Sequence, residues 1–230
     1  MVKVSVVFDF DGSLATTFVG GLIFRGHVPE TVLESSSQKY LSNTISLREY
    51  QEAVFDRVDE TPRQMSNRAA ENAAVRQYSK DVCEAVWRNQ GKVAVASSGL
   101  DLYINPVLEN TGLQRIEVHC GHVVSNPAKL PPLSYEYPSS SPACQGDWVT
   151  CKCKVINDLK LENPDSEIIF VGDGTDADRC ATRNAADTVF ASGRLFEYCK
   201  KNGIPATEFR NSFRSLLQYV LERTSLNGAK

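Results

Sequence analysis

Short apolar runs recur along the chain, and each one ends at a glycine, a hydroxyl residue or an acid. Apolar runs of four to eight residues bounded by turn residues are typical of strands buried on both faces of a parallel sheet. The pattern therefore predicts buried strands over residues 3–8, 92–99, 167–171 and 188–191. Residues 115–120 are predicted to form a further strand, the third of five in chain order.

Between these runs, the apolar residues recur at helical spacing. Ser46 and Glu49 form a capping-box pattern, and Leu47, Tyr50 and Val54 follow on one stripe. Strands that alternate with helices indicate an α/β fold with a doubly wound parallel sheet. Further helices are predicted to begin at residues 61–62 and to cover residues 79–90, 102–110, 149–161, 178–184, 193–202 and 211–224.

The stretch 15–91 is mostly helical and is too long for a crossover between neighbouring strands. We expect it to form a helical cap, inserted after the first strand and lying over the strand ends. The catalytic core would then consist of residues 1–14 and 92–230. Residues 125–147 are rich in proline and serine and are expected to form an irregular loop or a hairpin.

Composition limits the possible partners. The chain has 230 residues, a formal net charge of -3 and no basic block, which argues against nucleic acid and anionic membranes as partners. No apolar run approaches the roughly 20 residues of a membrane span. The seven cysteines form no regular framework, so we expect reduced thiols and a cytoplasmic location. Nothing in the sequence predicts the oligomeric state.

Acids follow two of the predicted strands. Asp9 and Asp11 come directly after the first strand, and Asp173 and Asp178 follow the fourth. Ligands of open α/β sheets bind at the carboxyl ends of the strands, and buried acids need a cation or a proton nearby. Carboxylate oxygens are the ligands that Mg²⁺ prefers. One carboxylate could attack phosphorus, and a second acid could protonate the leaving alcohol.

The remaining polar groups suit a phosphate. Ser97 ends the second strand and is followed by the amides of Ser98 and Gly99, while Lys152 lies near the start of a helix that leads to the fourth strand. A lysine, a hydroxyl group and loop amides together suit the oxygens of a phosphoryl group.

These residues carry a resemblance to a known family. Residues 9–13 (Asp-Phe-Asp-Gly-Ser) resemble the first motif of the haloacid dehalogenase superfamily in its phosphatase form. Residues 97–99 resemble the second motif, Lys152 the third, and residues 172–174 with Asp178 the fourth. All four motifs occur in the family's order.

Two further stretches resemble particular branches. Residues 152–156 are similar to the third motif of phosphoserine phosphatases. Residues 190–205 are similar to fungal small-metabolite phosphatases, which are grouped with phosphoserine phosphatase and the methionine-salvage diketo-phosphate phosphatase.

The resemblance implies a Mg²⁺-dependent phosphatase that hydrolyses a small phosphorylated metabolite through an aspartyl-phosphate intermediate. The alternatives are a phosphotransferase or mutase of the same superfamily, and a non-catalytic phosphate-binding protein with this fold. The implied roles are nucleophile for Asp9, general acid and base for Asp11, phosphoryl binding for Ser97, Ser98, Gly99 and Lys152, and Mg²⁺ binding for Asp9, Asp11, Asp173 and Asp178.

Two assignments have rivals nearby in the sequence. The family's fourth motif usually has three residues between its acids, and here that spacing falls on Ala177. We favour Asp178 as the second acid, with Asp176 as the alternative. Lys152 is favoured over Lys154, which would then be a solvated helix residue.

Other candidates have no motif support. Phe18, Phe24, Arg25 and Arg57 are guesses for residues that contact the substrate in the cap, and His27 lies at the expected cap entrance. A zinc site at Cys144, Cys151 and Cys153 is disfavoured, because the spacing is unusual and no histidine follows at ligand distance.

Overall fold

One seven-stranded sheet forms the centre of the protein. The computed structural model describes residues 2–129, 132–144, 146, 148–174 and 177–225. The strand order is β4-β3-β2-β1-β5-β6-β7, and β4 alone is antiparallel to its neighbour. The strands are β1 (Lys3–Phe8), β2 (Val93–Leu100), β3 (Glu117–Ser125), β4 (Leu133–Glu136), β5 (Ser166–Gly172), β6 (Thr188–Ala191) and β7 (Thr207–Glu208).

Ten helices surround this sheet in the described part of the chain, which confirms the predicted α/β fold class. They are α1 (Val19–Phe24), α2 (Glu30–Leu41), α3 (Leu47–Phe55), α4 (Pro62–Asn72), α5 (Ser79–Arg88), α6 (Asp101–Asn110), α7 (Lys152–Glu162), α8 (Ala177–Asn184), α9 (Gly193–Lys201) and α10 (Arg214–Ser225).

The central strand β1 is covered on both faces, which explains why its residues after Lys3 are buried and, apart from Ser5, apolar. Val6 packs in the cluster that contains Leu216 of α10, whereas Val7 packs in the cluster that contains Ile156 of α7. On both sides of β1 the neighbours are parallel strands, β2 and β5. The carboxyl ends of three adjacent strands therefore meet at one edge of the sheet.

The helical insertion leaves and re-enters the core at one place. The amide of Thr16 donates to the carbonyl of Ala74 at 2.9 Å, and the amide of Arg76 donates to the carbonyl of Leu14 at 2.8 Å. Helix α5 packs on strands β1 and β2 of the sheet and on helix α10. We therefore infer that the inserted segment ends near Ala74, earlier than the predicted residue 91.

Residues 125–147 were expected to form an irregular loop or a hairpin, and β4 in this range does form a hairpin with β3. Other boundaries differ from the sequence-based expectation. The helix expected from residue 149 begins at Lys152, after Cys151 in an extended conformation. Strand β7 was not predicted, because two exposed residues carry no hydrophobic pattern. None of the described helices has the length and apolar character needed to cross a membrane.

Candidate active site

A cavity of about 210 Å³ opens at the carboxyl ends of β1, β2 and β5. Parallel sheets place their ligand sites at this edge, so its lining is the first place to look for chemistry. The lining includes seven of the predicted site residues: Asp9, Asp11, Ser97, Ser98, Gly99, Lys152 and Asp178.

Lys152 occupies the centre of the polar half of this cavity. Its Nζ donates to Asp9 Oδ1 at 2.5 Å and also to Asp178 Oδ1, and the side chain is 4% exposed. Burial lowers the pKa of Lys152, but the carboxylates of Asp178 and Asp9 outweigh burial and hold that pKa above its usual range. The lysine is therefore a permanent cation beside two acids.

Three acids converge beside this lysine. A carboxylate oxygen from each of Asp9, Asp173 and Asp178 lies within 4.8 Å of the others. Burial raises the pKa of Asp9 well above its usual value, and the charges of Asp178 and Asp173 raise it further against the effect of Lys152. Burial likewise raises the pKa of Asp173. A crowded, oxygen-only donor set of this kind fits Mg²⁺.

Asp11 stands apart from that group and is held by two donors. Its Oδ1 accepts from the amide of Val19 at 2.6 Å, and its Oδ2 accepts from the hydroxyl of Tyr103 at 3.2 Å. Burial is the main reason that the pKa of Asp11 is raised to about 6, against the lowering effect of these two bonds. A carboxyl group with a pKa close to neutral is suited to proton transfer.

Hydroxyl groups and turns hold the loops that carry these acids. Ser97, 2% exposed, accepts through Oγ from the amide of Gly99 at 3.0 Å. Ser13 donates through Oγ to Asp173 Oδ1 at 2.8 Å, so the loop after β1 is joined to the loop after β5.

The two candidate lysines, Lys152 and Lys154, have different surroundings in the structure. Of the two candidate acids, the structure describes Asp178. Lys154 lies on the outer face of α7, pairs with Asp158 and is 46% exposed. Asp178 pairs with Lys152 and accepts through Oδ2 from the amide of Gly174 at 2.9 Å. Asp176 lies outside the described residues.

Arg76 is a site-forming residue for which the sequence gave no signal. Its Nη2 donates to the carbonyl of Gly12 at 2.6 Å, and its Nε donates to the carbonyl of Ser13 at 2.8 Å. Its Nη1 donates to the carbonyl of Arg210. The guanidinium group thus fixes the loop that follows the nucleophile candidate, and no motif marks a lone arginine for this role.

The guesses for the cap divide into two groups. Phe18 and Phe24 line the cavity, whereas Arg25 and Arg57 are not among its lining residues. His27 forms a hydrogen bond through Nδ1 with Asp59 Oδ1 at 2.8 Å instead.

The cysteines near the site are free thiols. The Sγ atoms of Cys153 and Cys180 lie 2.8 Å apart, which joins α7 to α8 beside the polar half of the cavity. Within the described ranges, no cysteine belongs to a group arranged to hold a metal ion.

Comparison with known proteins places this chain in a family. The sequence profile of the haloacid dehalogenase-like hydrolases matches residues 6–183. The chain is 24% identical over 211 residues to a 2-hydroxy-3-keto-5-methylthiopentenyl-1-phosphate phosphatase of Bacillus pumilus (strain SAFR-032), covering 91% of this chain and 87% of the relative. A protein of the same name from Bacillus cereus (strain B4264) is 25% identical, with 90% and 91% covered.

Solved structures show the same fold. A phosphoserine phosphatase solved as an analogue of its phospho-aspartyl intermediate superposes with a TM-score of 0.66 at 16% identity, covering 95% of this chain and 99% of that one. A haloacid dehalogenase family hydrolase from Salmonella enterica subsp. enterica serovar Typhi superposes with a TM-score of 0.70 at 14% identity, covering 96% and 72%. Closeness to fungal phosphatases stays a prediction.

Proposed function

Because the chain belongs to the haloacid dehalogenase-like hydrolase family, we propose that it is a Mg²⁺-dependent phosphatase of small phosphorylated metabolites. The relatives named above hydrolyse phosphomonoesters, and the family assignment makes this chain a hydrolase. The cavity of about 210 Å³ favours a small substrate.

One observation carries the proposal. Asp9, Asp11, Lys152 and Asp178 line a single cavity, and the buried ammonium group of Lys152 contacts both Asp9 and Asp178. Burying a cation and its acids costs desolvation energy, and apolar residues at these positions would stabilise the fold at least as well. An anionic substrate would instead use that cation.

In the proposed mechanism, a carboxylate oxygen of Asp9 attacks phosphorus while the bond from phosphorus to the leaving oxygen breaks. Asp11 gives its proton to that oxygen, and the alcohol leaves. Water then attacks the aspartyl phosphate and gives its proton to Asp11, which releases phosphate and restores Asp9. Lys152 and Ser97 would hold the phosphoryl oxygens throughout.

Asp9, Asp173 and Asp178 would hold the Mg²⁺ ion, with Asp11 beside them. The ion would supply positive charge that offsets the negative charge of the phosphoryl group. Of these residues, Asp173 is positioned by Ser13, and Asp178 by the amide of Gly174.

We also propose a cytoplasmic location, since all seven cysteines are free thiols. A phosphotransferase of the same fold would use these residues with an acceptor other than water. No described feature favours that alternative, and competition between acceptors and water in a product assay would detect it.

The test is phosphate release from a panel of phosphorylated metabolites, with Mg²⁺ and with chelator. The wild-type protein should release phosphate in Mg²⁺ but not in chelator, and Asp9→Asn should release none in either. Lys152→Met should lower kcat by about 100-fold or more, since a preorganised charge near the transferred group is lost. Its matched control, Lys154→Met, should keep wild-type activity.

Activity retained in Asp9→Asn would contradict the assignment of the nucleophile. Equal losses in the two lysine variants would contradict the assignment of Lys152. Tight, Mg²⁺-dependent phosphate binding without hydrolysis of any ester would instead favour the non-catalytic alternative.

A further inference from the structure

The cavity has a second half, formed largely by the inserted segment. Its walls are aromatic or aliphatic and include Phe18, Phe24, Leu47, Tyr50 and Trp148. The rings pack on one another. The centroids of Phe18 and Phe24 lie 6.3 Å apart in an edge-to-face arrangement, and those of Tyr50 and Tyr40 lie 5.5 Å apart. In the proposed function, the polar half around Lys152 binds the phosphoryl group. The aromatic half therefore faces the leaving group.

The charges in this half decide between classes of leaving group. Among the described lining residues, the charged side chains are those of Asp9, Asp11, Lys152, Asp178 and Arg194, and none of them belongs to the inserted segment. An amino-acid phosphate such as phosphoserine would bring an ammonium group and a carboxylate into this half. The aromatic rings offer the ammonium group a cation–π contact, but no described cationic side chain of the inserted segment lines the cavity to pair with the carboxylate, whose desolvation is costly. The walls therefore suit an uncharged leaving group.

Gln51 is the polar exception in this half. It lies on the same face of α3 as Leu47 and Tyr50 and is 8% exposed. The side-chain Nε2 of Gln51 donates to the carbonyl of Ser98 at 2.7 Å. This contact fixes the orientation of the side-chain amide, because the reverse orientation would place Oε1 of Gln51 against the carbonyl oxygen of Ser98.

That orientation leaves Gln51 Oε1 buried and without a hydrogen-bond partner. Few buried side-chain atoms in the described ranges lack a partner, and this is the one that belongs to a residue lining the cavity. A buried acceptor left unpaired is unfavourable, so an atom of this kind in a binding cavity indicates a donor on the ligand. Gln51 contacts Ser98, which neighbours Ser97, so this donor would lie close to the phosphate ester.

We propose that Gln51 determines specificity, with Oε1 accepting a hydrogen bond from a hydroxyl group of an uncharged leaving alcohol whose carbon skeleton packs on the aromatic walls. This inference rests on the proposed phosphatase function and adds the substrate class: phosphomonoesters of neutral hydroxylated carbon chains. Zwitterionic phosphoamino acids are poor substrates in this account.

The experiment compares kcat/KM for four esters with Mg²⁺ present. Glycerol 3-phosphate carries the hydroxyl, propyl phosphate lacks it, O-phosphoserine carries charges, and p-nitrophenyl phosphate reports the chemical step. Wild type should prefer glycerol 3-phosphate to propyl phosphate and to O-phosphoserine, each by about 10- to 100-fold, the range expected when one buried hydrogen bond is kept or lost.

Gln51→Met keeps the unbranched shape and removes the acceptor. It should bring the ratio of kcat/KM for glycerol 3-phosphate over propyl phosphate close to 1. Gln38→Met, at an exposed position of the same inserted segment, should leave the ratio at its wild-type value. The wild-type ratios alone test the inference if the Gln51 variant fails to fold.

The outcomes separate the two levels of the account. A wild-type preference for O-phosphoserine, or an unchanged ratio in Gln51→Met, would overturn the role of Gln51 while hydrolysis of p-nitrophenyl phosphate upheld the phosphatase function. No hydrolysis of any of the four esters would reject the proposed function itself.

Discussion

At the scale of single residues, Gly12 shows why the loop after β1 has its sequence. Its φ is +78°, a conformation that strains every residue with a side chain. A Cβ atom at this position would also lie 2.5 Å from Asp173 Oδ2. The glycine therefore lets the backbone between Asp11 and Ser13 approach an acid of the neighbouring loop.

Gly12→Ala should lower both activity and stability. The strain of a positive φ costs about 1–2 kcal/mol, and the clash with Asp173 adds to it by displacing a candidate metal ligand. The control is Gly26→Ala, where φ is +80° and no atom lies within 4 Å of the added carbon. Thermal unfolding and phosphate release would measure the difference, and equal effects in the two variants would refute the proposed contact.

At the scale of secondary-structure elements, Arg76 connects the catalytic loop to the point where the insertion rejoins the core. The guanidinium group donates to the carbonyls of Gly12 and Ser13, and it lies over the rings of Phe209 and Phe213. Because the segment that contains Arg76 also bonds to Leu14, the insertion and the catalytic loop share one anchor.

Arg76→Lys should destabilise the protein by about 2–3 kcal/mol and lower kcat. A lysine keeps the charge, but it cannot reproduce the rigid fork that reaches several carbonyls at once. Arg88→Lys is the control, since Arg88 is exposed and pairs with Glu84 alone among the described residues. Denaturant unfolding would measure the loss, and a kcat equal to that of wild type would show that Arg76 does not position the loop.

Elements with strong local patterns could be predicted from the sequence, whereas those defined by distant contacts could not. The bounds of β1 and β6 match the prediction, because their apolar runs are covered on both faces. The capping box of Ser46 and Glu49 fixed the start of α3, as expected. A hairpin within residues 125–147 was one of two expectations, and the bounds of β4 depend on its pairing with β3. Arg76 and Gln51 act through backbone carbonyls distant in sequence, so no local pattern marked them.

At the scale of the whole molecule, the fold gathers acids from distant parts of the chain into one cavity. Asp9 and Asp11 come from the loop after β1, and Asp173 and Asp178 from the region after β5, with Lys152 as the central cation. The raised pKa values of Asp9, Asp11 and Asp173 mean that the folded state holds protons that the unfolded chain releases. Stability should therefore depend on both pH and Mg²⁺.

In chelator, the contribution of these acids to stability should be greatest at low pH. It should fall as pH rises from about 3.9, where the unfolded carboxyl groups ionise, through about 6, where Asp11 ionises in the folded protein. Mg²⁺ should restore stability, by about 2.7 kcal/mol when its concentration is 100 times Kd.

Melting curves at pH 5 and pH 7, with and without Mg²⁺, would measure this linkage. The gain from Mg²⁺ should be larger at pH 7, and Asp173→Asn should reduce it because a candidate ligand is lost. The same gain at both pH values, or none, would show that these acids do not form the metal site.

The central claim is that Asp9 accepts the phosphoryl group, and capture of the intermediate tests it most directly. Asp11→Asn should accumulate phosphoenzyme from p-nitrophenyl phosphate with Mg²⁺, because p-nitrophenolate leaves without a proton whereas the attack of water needs the base. After an acid quench, mass spectrometry of the peptide that contains residues 4–25 should find one phosphoryl group on Asp9. A phosphoryl group on another residue, or hydrolysis of the ester at the wild-type rate with no phosphoenzyme in this variant, would contradict the account.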